Sequence, residues 1–75
     1  MQNTYKERYK SLGLNIAYYR KLRGFSQEKL AEAVNISRTH MSRIETADCA
    51  VSIDVILALA DVLNTEPYKF FENKE

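Results

Sequence analysis

The segment from Phe25 to Glu45 constrains this chain more than any other. It reads Phe-Ser-Gln-Glu-Lys-Leu-Ala-Glu-Ala-Val-Asn-Ile-Ser-Arg-Thr-His-Met-Ser-Arg-Ile-Glu, with apolar residues at helical spacing in two short runs. Leu30, Ala31 and Val34 share one face of the first run, and Ile36, Met41 and Ile44 gather around the second. Each run opens on a serine, Ser26 or Ser37, whose hydroxyl can accept from the free amide hydrogens of a helix start. Lys29 rather than an acid stands three places after Ser26, so no full capping box forms there. Only Val34, Asn35 and Ile36 separate the runs, enough for a tight corner and nothing more. Asn35 suits that corner because asparagine tolerates the left-handed backbone that glycine otherwise supplies. The spacing predicts two capped helices meeting at a sharp corner over one shared core.

The remaining chain reads the same way. Tyr5, Tyr9, Leu12, Ile16 and Tyr19 recur every three or four residues, a first helix that starts near Lys6 or Ser11 and stops at Gly24. Ser52 can cap a fourth helix over roughly 53–63. Asn64-Thr65-Glu66-Pro67 ends that helix and opens a short fifth one, where the missing N–H of Pro67 costs nothing. The expectation is an all-α, compact five-helix domain over residues 1–75, with its core in 12–71 and frayed ends at about 1–4 and 73–75. At 75 residues there is room for one core, and a chain this small is marginal unless something such as a partner subunit supports it.

The fourth helix carries more apolar surface than such a core needs. Ile53, Ile56, Leu59, Ala60 and Leu63 form a core stripe, yet Val55 and Val62 lie beyond one edge and Leu57 beyond the other. Phe70 and Phe71 are adjacent, so on a helix they point about 100° apart and do not both enter one core. A two-fold homodimer burying Val55, Leu57, Val62 and Phe71 is expected; the competing arrangement has Tyr5 and Tyr9 of a longer first helix cover that surface.

Composition removes several functions. One cysteine, Cys49, and one histidine, His40, give neither a disulfide nor a zinc set, and no third residue is placed to orient them as nucleophile and base. With only Gly13 and Gly24 there is no glycine-rich phosphate loop. No catalytic residue, metal or cofactor is expected. No stretch is long enough to cross a bilayer and the first ten residues hold no apolar run, which reads as a cytoplasmic protein. The net charge of +1 hides a polarity: residues 1–43 hold nine Lys and Arg against three acids, a balance of +6, and residues 44–75 hold two against seven, a balance of −5. The half carrying the capped pair would attract a polyanion.

From Leu12 to Phe71 the chain resembles the phage repressor and Cro-like (XRE) helix-turn-helix family. The residues that carry the likeness are Leu12, Ile16, Arg20, Gly24-Phe25-Ser26-Gln27-Glu28, Leu30-Ala31, Ile36-Ser37, Met41-Ser42, Ile44-Glu45 and Ile56-Leu59-Ala60-Leu63. Two departures are visible: Asn35 replaces the usual turn glycine, and the loop after Glu45 lacks one. Arg-Thr-His-Met-Ser-Arg-Ile-Glu on a short chain is also similar to restriction-modification controller proteins. The resemblance implies a lambda-repressor-like fold, a structural ion pair between Arg20 and Glu45, and Gln27 beside a DNA backbone phosphate.

Helix direction sorts the other contacts. With Met41 and Ile44 inward, Thr39, Ser42 and Arg43 point outward and Arg38 and His40 flank them. Arg38 and Arg43 are candidates for guanine edges and Thr39 for a thymine methyl, while Ser37, His40, Ser42 and Lys10 are candidates for phosphates. The expected function is a sequence-specific, DNA-binding transcriptional regulator acting as a homodimer on a near-palindromic site. The alternative is a protein-interaction module, such as an antitoxin or co-regulator, binding a partner through the fourth and fifth helices.

Overall fold

The computed structural model describes residues 5–73; the expected frayed ends, 1–4 and 74–75, lie outside them, and Asn73 lies within. Four α-helices follow one another: α1 (Lys6–Leu22), α2 (Gln27–Ala33), α3 (Arg38–Glu45) and α4 (Ile53–Val62). No strand occurs among the described residues. α1 takes the longer of its two expected forms, starting at Lys6. The expected fifth α-helix is instead a 3-10 segment, Pro67–Phe71. Its reason is local. The amide of Lys69 donates to the Glu66 carbonyl (3.0 Å) and that of Glu72 to the Lys69 carbonyl (3.4 Å), three-residue closures that suit a five-residue piece opened by a donorless proline.

Helix starts and stops are set by nearby residues. Ser26, Ser37 and Ser52 each sit in extended backbone and accept, through Oγ, from the amides of Lys29, His40 and Val55 at 3.0–3.1 Å. All four α-helices end in one motif, in which a left-handed residue lets the next amide reach back five positions. Gly24 (φ 82°), Asn35 (64°), Ala47 (64°) and Asn64 (51°) are those residues. The returning bonds run from Phe25 to Arg20, Ile36 to Ala31, Asp48 to Arg43 and Thr65 to Ala60, at 2.8–3.0 Å. Ala47 therefore does the work of the glycine missing after Glu45.

α2 packs on α3 and α4, while α1 packs on α3 and the 3-10 segment. Leu12, Ile16 and Tyr19 from α1 meet Leu30, Ala31, Met41 and Ile44, and Ile56, Leu59, Ala60, Leu63 and Phe70 close the core. Phe70 is fully buried, edge-on to Tyr19 with ring centroids 6.0 Å apart. Asn15, buried within this apolar face, donates from Nδ2 to the Phe70 carbonyl (2.9 Å) and the Glu72 carbonyl (2.7 Å), latching the 3-10 segment to α1. Arg23 donates to the Leu63 carbonyl (2.8 Å), which α4's end leaves without a helical donor. Ile53 departs from expectation: it is 66% exposed, because as the first residue of α4 it projects past the core that begins at Ile56.

Gly13 sets the distance between α1 and α3. A Cβ there would lie 2.5 Å from the Glu45 carbonyl oxygen and 2.6 Å from that of Ile44, so the two backbones meet where no side chain fits.

Candidate nucleic-acid interface

α3 buries Met41, Ile44 and Glu45 and turns Arg38, Thr39 and Arg43 to solvent, with His40 and Ser42 half-buried at the margins. No hydrogen bond or ion pair holds the Arg38 or Arg43 side chain among the described residues, so both guanidinium forks are open to a ligand. Ser37 stands at the start of α3, its Oγ accepting from His40 while its own hydroxyl hydrogen remains free to donate.

The opposite side of α3 is fixed to the rest of the molecule. Arg20 Nε donates to Glu45 Oε2 at 2.7 Å and Nη2 to Oε1 at 3.2 Å, while Nη1 donates to the Phe25 carbonyl at 2.9 Å. Both charged groups are buried, and their paired geometry satisfies the fork. Gln27 Nε2 donates to Glu45 Oε1 at 2.9 Å, so the first turn of α2 joins the same cluster. The last turn of α3 is thus bonded to α1 and to α2, and Arg20 carries the cluster on to the α1–α2 loop. A second tie comes from Lys6, whose ammonium donates to the carbonyl of buried Ala47 at 3.1 Å. Cationic Arg20 and Lys6 both sit at the negative end of the α3 dipole.

Gln27 is thus half-buried and engaged with Glu45, leaving its amide oxygen and one N–H for another partner. Lys10 lies on the outward side of α1, paired with Glu7 at 3.4 Å. Val55 and Val62 are half-buried, whereas Leu57 and Phe71 are 48% and 60% exposed. Tyr5, Arg8, Tyr9, Ile53, Ile56 and Phe71 line a groove of about 320 Å³; Tyr5 and Tyr9 border it without covering Leu57 or Phe71. Lys6, Asn15 and the Gln27–Glu45 bond went unread in the sequence. Asn15 alone left a trace there, as a polar residue inside the apolar face of α1.

No helix among the described residues is long and apolar enough to cross a membrane, and none of their His, Cys, Asp and Glu form a group of three or more fit to hold a metal.

Two short serine-capped helices, the second locked from behind with its arginines presented outward, define a helix-turn-helix DNA-binding domain. The chain belongs to the helix-turn-helix family HTH_3, whose model matches residues 16–70. That family consists of DNA-binding transcription regulators of XRE type rather than enzymes. Among its relatives is the control protein C.SmaI of Serratia marcescens, 35% identical over 54 residues; the match spans 72% of this chain and 64% of that protein. The crystal structure of the restriction-modification controller protein C.AhdI from Aeromonas hydrophila superposes with a TM-score of 0.81 at 32% identity, over 84% of this chain and 96% of that one. The biofilm regulator SinR, solved in complex with DNA, gives a TM-score of 0.75 at 27% identity over 81% and 98%.

Proposed function

We propose that this chain reads a near-palindromic DNA site as a symmetric homodimer, with α3 of each copy in successive major grooves roughly 34–36 Å apart. The observation that carries the reading is the two-sided character of α3, whose buried side is tied to α1 and α2 while Arg38, Thr39 and Arg43 face outward. Arg38 and Arg43 have the fork geometry for guanine O6 and N7, and Thr39 carries a methyl for thymine. Gln27, Ser37, His40 and Ser42 border this face as phosphate contacts, with Lys10 a more distant one on α1. The two copies meet through Leu57 and Phe71, with Val55 and Val62 at the margin of the contact; the exposure of the first two supports this. The whole of 1–75 acts as one domain, and the likeness to C.AhdI supports a controller-type role. The position of the site relative to polymerase sets whether binding represses or activates.

Selection of bound sequences from a random duplex library tests the reading and should return an inverted repeat. Against that repeat and a scrambled duplex, Arg43→Ala should cost about 1–3 kcal/mol on the repeat only, and Gln27→Ala should weaken both duplexes alike. Equal losses on both duplexes for both variants would refute the assigned roles.

A further inference from the structure

The outward side of α1 exposes large side chains that the proposed DNA and dimer contacts do not use, the Tyr18 ring among them standing edge-on to that of core residue Tyr19 at 4.9 Å. Leu14 is 68% exposed, Tyr18 49% and Leu22 56%. Around the helix Leu14 and Tyr18 point away from Leu12 and Ile16, which enter the core, while Leu22 lies about 60° to the side of Tyr19. Gly13, the point of contact with α3, faces a third direction, so the patch is clear of the DNA-reading helix.

The patch has a repeat and a charge order. Glu7, Ser11, Leu14, Tyr18 and Lys21 follow one another at steps of four, three, four and three, the spacing of a two-helix seam. Its middle is apolar, its first position is an acid, and its last a base. Glu7 and Lys21 are 14 positions apart, about 21 Å along the helix. Two such seams side by side in parallel would set Glu7 against Glu7 and Lys21 against Lys21. Turned antiparallel about Leu14, they bring the two Leu14 side chains together, lay each Tyr18 against Ser11 of the other copy and place each Glu7 opposite Lys21 of the other. Glu7 already pairs with Lys10 three residues on, but both groups are exposed, and such a pair exchanges at little cost. The patch is therefore complementary to itself about a two-fold axis.

We infer that the outward seam of α1 is a second self-association face, in which α1 helices of two copies pack antiparallel about Leu14, with Tyr18 over Ser11 of the other copy and Glu7–Lys21 pairs at both ends. This contact is separate from the proposed dimer through Leu57 and Phe71 and does not rest on it. With two large apolar side chains per copy in the seam, Leu14 and Tyr18, the interface is small and its association weak and concentration-dependent. A chain with both faces can link one dimer to the next.

Sedimentation equilibrium of the full chain up to roughly 1 mM tests this, with Leu57→Asp used throughout to remove the other proposed contact. The Leu57→Asp protein should still self-associate. Adding Leu14→Asp should weaken that association about tenfold or more, with helical circular dichroism unchanged. Glu7→Lys and Lys21→Glu should each weaken it, and the two together should restore it, since the swap rebuilds the opposite-charge ends. A Leu57→Asp protein that stays monomeric throughout would overturn the proposal and leave the seam to a different protein. Association indifferent to Leu14→Asp, or single charge reversals that the double variant does not rescue, would overturn it equally. If Leu57→Asp loses binding to the inverted repeat yet keeps the α1 contact, the inference stands; if the α1 contact fails while palindrome binding persists, the proposed function stands without it.

Discussion

Gly13→Ala changes sign between a helix considered alone and this helix in its fold. In an isolated helix interior alanine is favoured over glycine by about 1 kcal/mol, so α1 by itself gains from the substitution. In the folded chain the new methyl meets backbone, at 2.5, 2.6 and 2.8 Å from atoms of Ile44 and Glu45, where ordinary contact begins at 3.4 Å. Backbone cannot rotate aside as a side chain can, so α1 and the last turn of α3 must separate by most of the difference. Overpacking of this kind costs about 1–3 kcal/mol and occasionally more. The separation also stretches the Arg20–Glu45 bonds that cross the same junction at 2.7 and 3.2 Å. Overpacking less the helix gain, plus about 1 kcal/mol for the weakened charge-assisted bonds, leaves a net loss of about 1–3 kcal/mol, which for a domain of this size lowers Tm by about 4–24 °C. Urea and thermal unfolding followed by circular dichroism measure it, with Ala17→Gly on α1 as a control that should cost only about 1 kcal/mol. A Gly13→Ala protein as stable as the parent chain would refute the close approach of α1 to α3.

Arg20→Met should destabilise by about 3–5 kcal/mol in the same assay, because it leaves the Glu45 carboxylate buried without its cation; adding Glu45→Leu should recover part of that loss. Asn15→Ala should cost about 1–3 kcal/mol by orphaning the Phe70 and Glu72 carbonyls, and hydrogen exchange should show faster amides in Pro67–Phe71 than in α3. Ala47→Gly should leave urea stability within about 1 kcal/mol of the parent. Relief of about 1–2 kcal/mol of left-handed strain is offset by about 0.8 for the buried methyl and about 0.5–1 for glycine's extra freedom when unfolded.

Features that act within a turn of their own residue were the ones the sequence displayed. Ser26, Ser37 and Ser52 cap through amides three positions on, and Asn35 and Gly24 bend the chain where they stand, so each could be named before any coordinates. Features that depend on where a helix comes to rest were not. Ile53 fits the period of the α4 core stripe, but the core ends a turn beyond it. Gln27 and Glu45 are 18 residues apart, and only the α2–α3 corner brings amide and carboxylate within 2.9 Å. Lys6 reaches Ala47 across 41 residues, and no local pattern announces it. α1 hid its outer seam for a different reason. Its apolar residues lie on both sides, so a search for one core stripe accounted for Leu12, Ile16 and Tyr19 and passed over Leu14 and Leu22. Which α3 residues face outward was legible to the extent that direction alone sorts them, since Met41 and Ile44 pointing inward fixes which neighbours point out.

The Arg20 guanidinium gathers three helices and a loop around one carboxylate, so the angle at which α3 stands is decided during folding and not at the moment of contact. A surface preset in this way should lose little freedom on meeting a duplex, so the proposed encounter is expected to be rigid-body docking. Its speed is then governed by diffusion and by the field of the basic half of the chain, and added salt should slow arrival without altering which bases are preferred.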